Sequence, residues 1–247
     1  MHRNKHIFSL LLILLVSLSC SKMDPVDCFR NSGPVSTEMR GSEPFRFVHM
    51  KNNVDVLLRY APEYAIEVRA GKNIIPGIKT EISNETLTIE NENNCNWIRS
   101  YESPIEVHIS APQIDSIIYQ SSGNLTSVNK FINDSLKLDV IEGGGSINLW
   151  VDLRIGQFNL HYGTVDLTVR GYSHISYFFS GGYGPANLSG LNTEFTFMTN
   201  NSLNNCRVRS NYTLHVKILN LGDVYYSGNP SVLATEISGE GRLIKEQ

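Results

Sequence analysis

Positive charge is scarce in this 247-residue chain: 21 Lys and Arg stand against 24 Asp and Glu, a formal net of −3. No basic cluster stands out, which argues against nucleic-acid binding, because that needs grouped Lys and Arg to displace phosphate counterions. Helical periodicity is missing between Phe45 and Ala111, and no Gly-x-Ser-x-Gly motif offers a hydrolase nucleophile. His49, His108, His161, His174 and His215 lie far apart, with no pair at ligand spacing and no neighbouring Cys or Glu cluster. No metal centre and no cofactor are therefore expected. The run Gly143-Gly144-Gly145 lacks the Lys-Ser/Thr and the helix start of a phosphate cradle, and reads as a corner of the fold.

Long apolar runs are also wanting. The longest, Ile7 to Leu18, follows Arg3 and Lys5 and is too short to span a bilayer as a mature helix, so residues 1–19 read as a signal peptide. The run closes on Leu18-Ser19-Cys20-Ser21, with a small residue before Cys as lipoprotein signal peptidase requires. Cys20 is then the expected site of lipidation. Leu falls one residue late for the usual lipobox, the third position before Cys being Ser17, and an ordinary secretory signal is the competing reading. Residues 20–41, polar with Pro25, Gly33 and Pro34, form the lipid anchor and tether. Losing Arg3 and Lys5 leaves 19 basic residues against 24 acidic ones.

Cysteine is sparse too, four in all. With Cys20 lipidated, Cys28, Cys95 and Cys206 remain, an odd number in an oxidising compartment. Cys28 and Cys95 both lie outside the repeating part of the chain and form the expected disulfide. Three free thiols, with Cys206 as a small buried hydrophobe, is the alternative.

What the chain does have is a repeat. Gly123, Gly144, Gly163, Gly182, Asn201 and Gly222 mark turns at steps of about 20 residues, the signature of a solenoid with two or three short strands per rung. Three residues before the markers stand Gln120, Ile141, Leu160, Phe179, Met198 and Leu219, read as an inward column. Two residues after them come Leu125, Ser146, Val165, Gly184, Leu203 and Val224, a poorer column that improves if Ile147 replaces Ser146. Asn148, Asp152, Asn159, Thr164, Asp166 and Arg170 then face outward. Between Phe45 and Ala111 the alternation is also that of strands, broken at Asn52-Asn53, Gly71-Lys72-Asn73, Ser83-Asn84 and Asn93-Asn94. This less regular half reads as an N-terminal β cap or as the first rungs, and a solenoid needs a cap to cover its open end. The expected fold is all-β: a right-handed parallel β-helix-like solenoid over residues 42–247 with an irregular β cap.

Candidate functional residues are few. Asp139, Asp152, Asp166 and Asp223 fall at different phases from the turn markers, so the paired carboxylates of a glycosidase are not expected to converge. Tyr162, Tyr183, Tyr225 and Tyr226 are the candidate binding face, since tyrosine can stack on sugar rings or contact protein at low entropic cost. Ser116 and Ser135, within Asp115-Ser116-Ile117 and Asp134-Ser135-Leu136, look like acceptors of the O-glycosylation used in exported Bacteroidetes proteins.

The stretch from Leu221 to Pro230, with Ser238-Gly239-Glu240-Gly241, resembles the closing signature of the auto-transporter adhesin head GIN domain family. The Phe45 to Leu58 block with Asn52-Asn53-Val54-Asp55-Val56 fits it, as does Cys95-Asn96-Trp97-Ile98-Arg99-Ser100-Tyr101. The resemblance covers residues 45–240 and implies an exported, solenoid-like protein of the Bacteroidetes envelope, with no catalytic residues to carry over. The expectation is a non-enzymatic lipoprotein at the outer membrane, an adhesin or scaffold whose surface binds a protein or glycan. The rival is a carbohydrate-active β-helix, a lyase or hydrolase.

Overall fold

The computed structural model describes residues 31–41, 43–93 and 104–246. The signal segment, Cys20, Cys28 and Cys95 lie outside the described residues. In chain order the strands are β1 (Val35–Arg40), β2 (Phe47–Asn52), β3 (Asp55–Tyr60), β4 (Ala65–Gly71), β5 (Ile78–Ser83), β6 (Thr86–Asn91), β7 (Ile105–Ala111), β8 (Ser116–Ser121) and β9 (Leu125–Ser127). They continue with β10 (Phe131–Gly143), β11 (Ser146–Leu160), β12 (Asp166–Ser180), β13 (Ala186–Asn200), β14 (Cys206–Arg209), β15 (Thr213–Ile218), β16 (Val224–Ser227), β17 (Val232–Ile237) and β18 (Leu243–Lys245). Among the described residues the only helical element is a single 3₁₀ turn, Ile75–Gly77, so no helix is long enough to cross a membrane.

The strands stack into a β-solenoid with two faces. On the first face the order is β5-β6-β2-β8-β10-β11-β12-β13-β15-β17. On the second it is β1-β4-β7-β3-β9-β11-β12-β13-β14-β16-β18. Strands β11, β12 and β13 are long enough to bend from one face into the other. Pairing is parallel along the stack and turns antiparallel only at the N-terminal end, where β5 closes the first face and β1 and β4 close the second. The irregular half of the sequence thus supplies both the first rungs and the cap.

The core is a set of columns with one side chain per rung. Leu87, Val48, Ile117, Leu138, Phe158, Phe178, Met198 and Val216 align in sequence along the first face, all buried. Val56, Leu125, Ile147, Leu167, Ala186, Cys206 and Val224 do the same on the second. Each large side chain so buried contributes about 1.5–3 kcal/mol. No rung could bury its share without its neighbours.

The expected inward column is corrected in part. Leu160 and Met198 are buried as expected. Phe179, however, aligns with Asn159 and points outward, Phe178 taking the core position, while Ile141 and Leu219 are exposed and Gln120 is half-buried. The cause is register. The central rungs advance by 20 residues, Leu138 to Phe158 to Phe178 to Met198, whereas the turn markers there advance by 19. One residue of slip exchanges the two faces of a strand. In the second column Leu125, Ile147 and Val224 hold, but Leu203 is exposed and Cys206 takes the inward place. Asn148, Asp152, Asn159, Thr164, Asp166 and Arg170 all face outward, exposed or half-buried.

The glycine corner is held by close backbone approach. Gly143 sits at φ 121°, and a Cβ there would come within 2.0 Å of the Ser121 carbonyl oxygen. The buried Tyr119 hydroxyl donates to the carbonyls of Gly123 (2.6 Å) and Gly144, and its burial pushes its pKa up to about 12. Tyrosine therefore serves here as a permanent donor that ties two rungs together at the turn.

Candidate functional site

Alternation along β12 and β13 determines which side chains reach solvent on the first face. Because Phe178 and Met198 turn inward, Tyr177, Phe179, Phe197 and Thr199 must turn outward. Parallel pairing then stacks outward residues into ladders. Gln157, Tyr177, Phe197 and His215 form one, and Asn159, Phe179, Thr199 and Lys217 form the next. A third, Ile155, Ile175 and Phe195, runs beside them toward the bend between faces.

The rings touch along these ladders. Tyr177 and Phe197 stack with centroids 5.4 Å apart and planes at 19°, and Phe197 meets His215 edge-on at 6.3 Å. Phe195 contacts His174 at 5.3 Å and Tyr212 at 5.4 Å, and Phe179 lies 5.7 Å from His161. Between the first two ladders runs a groove of ≈ 220 Å³ lined by Asn159, Tyr177, Phe179, Phe197, Thr199, His215 and Lys217. The result is a row of outward aromatic rings bordered by amide, hydroxyl and ammonium groups.

Charge at both ends of this surface is tied down. Toward the N-terminal end, Asp139 receives Lys137 Nζ at 2.6 Å and the Asn159 amide at 2.7 Å, with His161 Nε2 at 3.5 Å. Burial pushes its carboxyl up, yet the hydrogen bonds from Lys137 and Asn159 outweigh that and hold it below its ordinary value. Toward the other end Lys217 pairs with Glu236 at 2.7 Å. Among the described residues that line the groove there is no carboxylate.

The four tyrosines chosen from sequence do not share one surface. Tyr162 and Tyr183, 68% and 62% exposed, sit at the corner that follows β11 and β12. Tyr225 lies on the second face under the Arg207 guanidinium, 5.0 Å from its ring centroid, and Tyr226 packs against the core. The face that gathers rings is built mainly from phenylalanines. A signal for it stood in Glu194-Phe195-Thr196-Phe197-Met198: with Met198 inward, alternation sends both phenylalanines out and buries Thr196 between them. Ser116 and Ser135 are half-buried, in β8 and β10. Cys206 is a buried free thiol at the start of β14, and burial pushes its pKa up to about 11.

The remaining chemistry is dispersed. Asp152 pairs with Lys130 at 3.6 Å, and Asp223 with Arg242 at 3.0 Å. Asp166 begins β12 and Asp223 directly precedes β16, both on the second face. They stand three rungs apart, about 14 Å at ordinary strand spacing. Among the described residues no group of three or more His, Cys, Asp and Glu could hold a metal. A second groove, ≈ 570 Å³, lies at the corner lined by Asn52, Asn53, Asn91, Glu92, Gln120 and Glu142 among others. Several of its polar groups serve the turn itself: Asn91 Nδ2 donates to Asn53 O at 2.8 Å, Asn52 Nδ2 to Asn91 O at 3.1 Å and Ser121 Oγ to Asn52 O at 2.6 Å. For this reason the smaller aromatic groove is the better candidate site.

The model of a family described as "Putative auto-transporter adhesin, head GIN domain" matches residues 44–230. The chain belongs to this family. No curated protein matches it. Among solved structures, a putative adhesin from Bacteroides fragilis superposes with a TM-score of 0.77 at 13% identity, covering 86% of this chain and 97% of the other. A protein described as a putative lipid binding protein, from Parabacteroides distasonis, gives 0.67 at 13%, with 88% and 98% covered. A putative adhesin from the same species gives 0.65 at 13%, with 87% and 98% covered. At this identity the likeness is one of fold. The family points to an exported or envelope protein of adhesin type.

Proposed function

We propose that this chain is a non-catalytic envelope lipoprotein, anchored at Cys20 in the outer membrane, whose first face binds an extended glycan. The observation that carries the reading is the outward row of Tyr177, Phe179, Phe195 and Phe197 beside Asn159, Thr199 and Lys217. Aromatic rings turned outward, Tyr177 exposed and the phenylalanines half-buried, offer an apolar contact at little entropic cost. A sugar ring has the matching chemistry, with apolar C–H faces and hydroxyl edges that amide and hydroxyl groups can bond. A ladder that repeats every rung suits a polymer that repeats every residue.

Cleavage is the lesser reading, because Asp139 and Glu236, the carboxylates beside the rings, are each paired to lysine. Binding isotherms against a polysaccharide panel, run with a reducing-end assay, test both. Glycan binding weakened at least tenfold by Phe197→Ala or Tyr177→Ala, with no new reducing ends, is the expected result. Unchanged affinity in both variants contradicts it. Loss of palmitate-analogue labelling in Cys20→Ala tests the anchor, and protease treatment of intact cells tests whether the face is turned outward.

A further inference from the structure

The two ends of the stack are finished differently. At the N-terminal end the edge strands are antiparallel additions carrying charge: Lys79 and Glu81 on β5, Glu38 and Arg40 on β1. At the C-terminal end β17 pairs only with β15 and β18 only with β16 among the described residues, leaving one edge of each open. Every residue of β17 is exposed, including Leu233 and Ile237, which continue the buried positions of Leu214 and Ile218 by one rung. An open apolar edge of this kind pairs with whatever strand it meets.

The open edges are complementary to themselves. Val232 N–H donates to Tyr212 O at 3.0 Å and Ser238 N–H to Ile218 O at 2.9 Å, so even-numbered residues bond inward to β15. By alternation Leu233, Thr235 and Ile237 turn N–H and C=O to the free edge. A second β17 laid antiparallel with Thr235 opposite Thr235 would satisfy all three. It would set Leu233 against Ile237, and Glu236 against Ala234 and not against another Glu. On β18 Val224 N–H donates to Arg242 O and Glu246 N–H to Tyr226 O, both at 2.8 Å, so Leu243 and Lys245 are the residues that turn to the free edge, and an antiparallel copy centred on Ile244 pairs Leu243 with Lys245 and sets Arg242 opposite Glu246. Arg242, 75% exposed on its side chain and paired with Asp223 at 3.0 Å, and Glu246, paired with Arg207 at 3.1 Å, then extend these ion pairs across the seam with opposite charge.

We infer that the C-terminal end is a self-association surface, where two copies of this chain join tail to tail by antiparallel pairing of β17 with β17 and β18 with β18. The twofold passes through Thr235 and Ile244 and joins the first-face columns of the two solenoids through Leu233 and Ile237, with a capped end at each extremity, while on the second face Lys245 comes opposite Leu243. Such an isologous contact closes on itself, so it stops at the dimer and does not propagate into fibres.

Sedimentation equilibrium of the purified chain, with a cysteine scan of the seam, tests this. A concentration-dependent dimer is expected. Thr235→Pro, which removes a free-edge amide but none of the bonds to β15, should weaken it at least tenfold. Thr235→Cys should give a reducible covalent dimer absent from the parent chain, because hydrogen-bonded antiparallel partners lie about 5.5 Å apart at Cα, within disulfide reach. Ile237→Cys should not, its copies being displaced by about 14 Å along the strands. A chain that stays monomeric at every concentration, a dimer indifferent to Thr235→Pro, or cross-linking at Ile237→Cys in place of Thr235→Cys would overturn the inference.

Discussion

The N-terminal and C-terminal ends of this solenoid solve the same problem in opposite ways. Leu87 and Leu233 both occupy inward positions near the ends of the first face, yet Leu87 is fully buried and Leu233 is 46% exposed. The difference is the cap. At the N-terminal end antiparallel strands and the turn at Ile75–Gly77 fold over the last rungs, whereas β17 and β18 have nothing beyond them among the described residues. A repeat fold can propagate its core by one rule, but ending it takes a different sequence.

The largest effect should come from breaking that asymmetry directly. Leu87→Asp places an unpaired charge among buried neighbours, a penalty of several kcal/mol against a total stability of about 5–15 kcal/mol. Leu233→Asp should stay within about 0.5 kcal/mol, as exposed sites usually do. Denaturant unfolding of both variants, at a dilution that keeps the chain monomeric, makes the comparison. Equal losses would mean that the C-terminal end is covered after all.

Gly143→Ala should come next, at about 1–3 kcal/mol, because the left-handed φ and the Ser121 carbonyl leave no room for a Cβ. The loss would mark the junction between the irregular and regular rungs, and a melting temperature unchanged by this substitution would contradict the tight stacking described for the corner. The smallest effect belongs to Asp139. With its carboxyl held below the ordinary 3.8, it contributes stability that is present above that value and lost as the pH falls through the lower folded value. Asp139→Asn should therefore flatten the acid side of the stability profile below about pH 4 and leave its shape near neutrality unaltered. Acid titration of the melting temperature checks this.

The fold was readable from sequence because turn residues recur at rung spacing and because the alternating strands of the first half break at Asn and Gly. Asn52, for instance, takes φ 61° at its turn. The inward column was only half readable. Gly and Asn mark corners to within a residue, and a corner that shifts by one residue exchanges Phe178 for Phe179 without any change in composition. The candidate site was hidden by the same ambiguity. Phe195, Thr196 and Phe197 alternate perfectly, and hydrophobicity alone assigns the phenylalanines to the core. The pairing of Phe178 with Met198 fixes the register, and Thr196, aligned with Ser176, is inside, beside Thr193 and the Arg209 carbonyl, with the rings outside. Tyr162, Tyr183, Tyr225 and Tyr226, chosen for stacking at low entropic cost, lie apart from this face, which joins Tyr177 to three phenylalanines.

The account rests on which of two adjacent phenylalanines looks outward, and paired unfolding of Phe178→Asp and Phe179→Asp tests that most directly. Phe178→Asp should lose several kcal/mol or fail to fold, because its charge would lie between Phe158 and Met198. Phe179→Asp should fall within about 1 kcal/mol of the parent, as surface substitutions do. A larger loss at Phe179 than at Phe178, or equal losses at both, would contradict the register and with it the aromatic face.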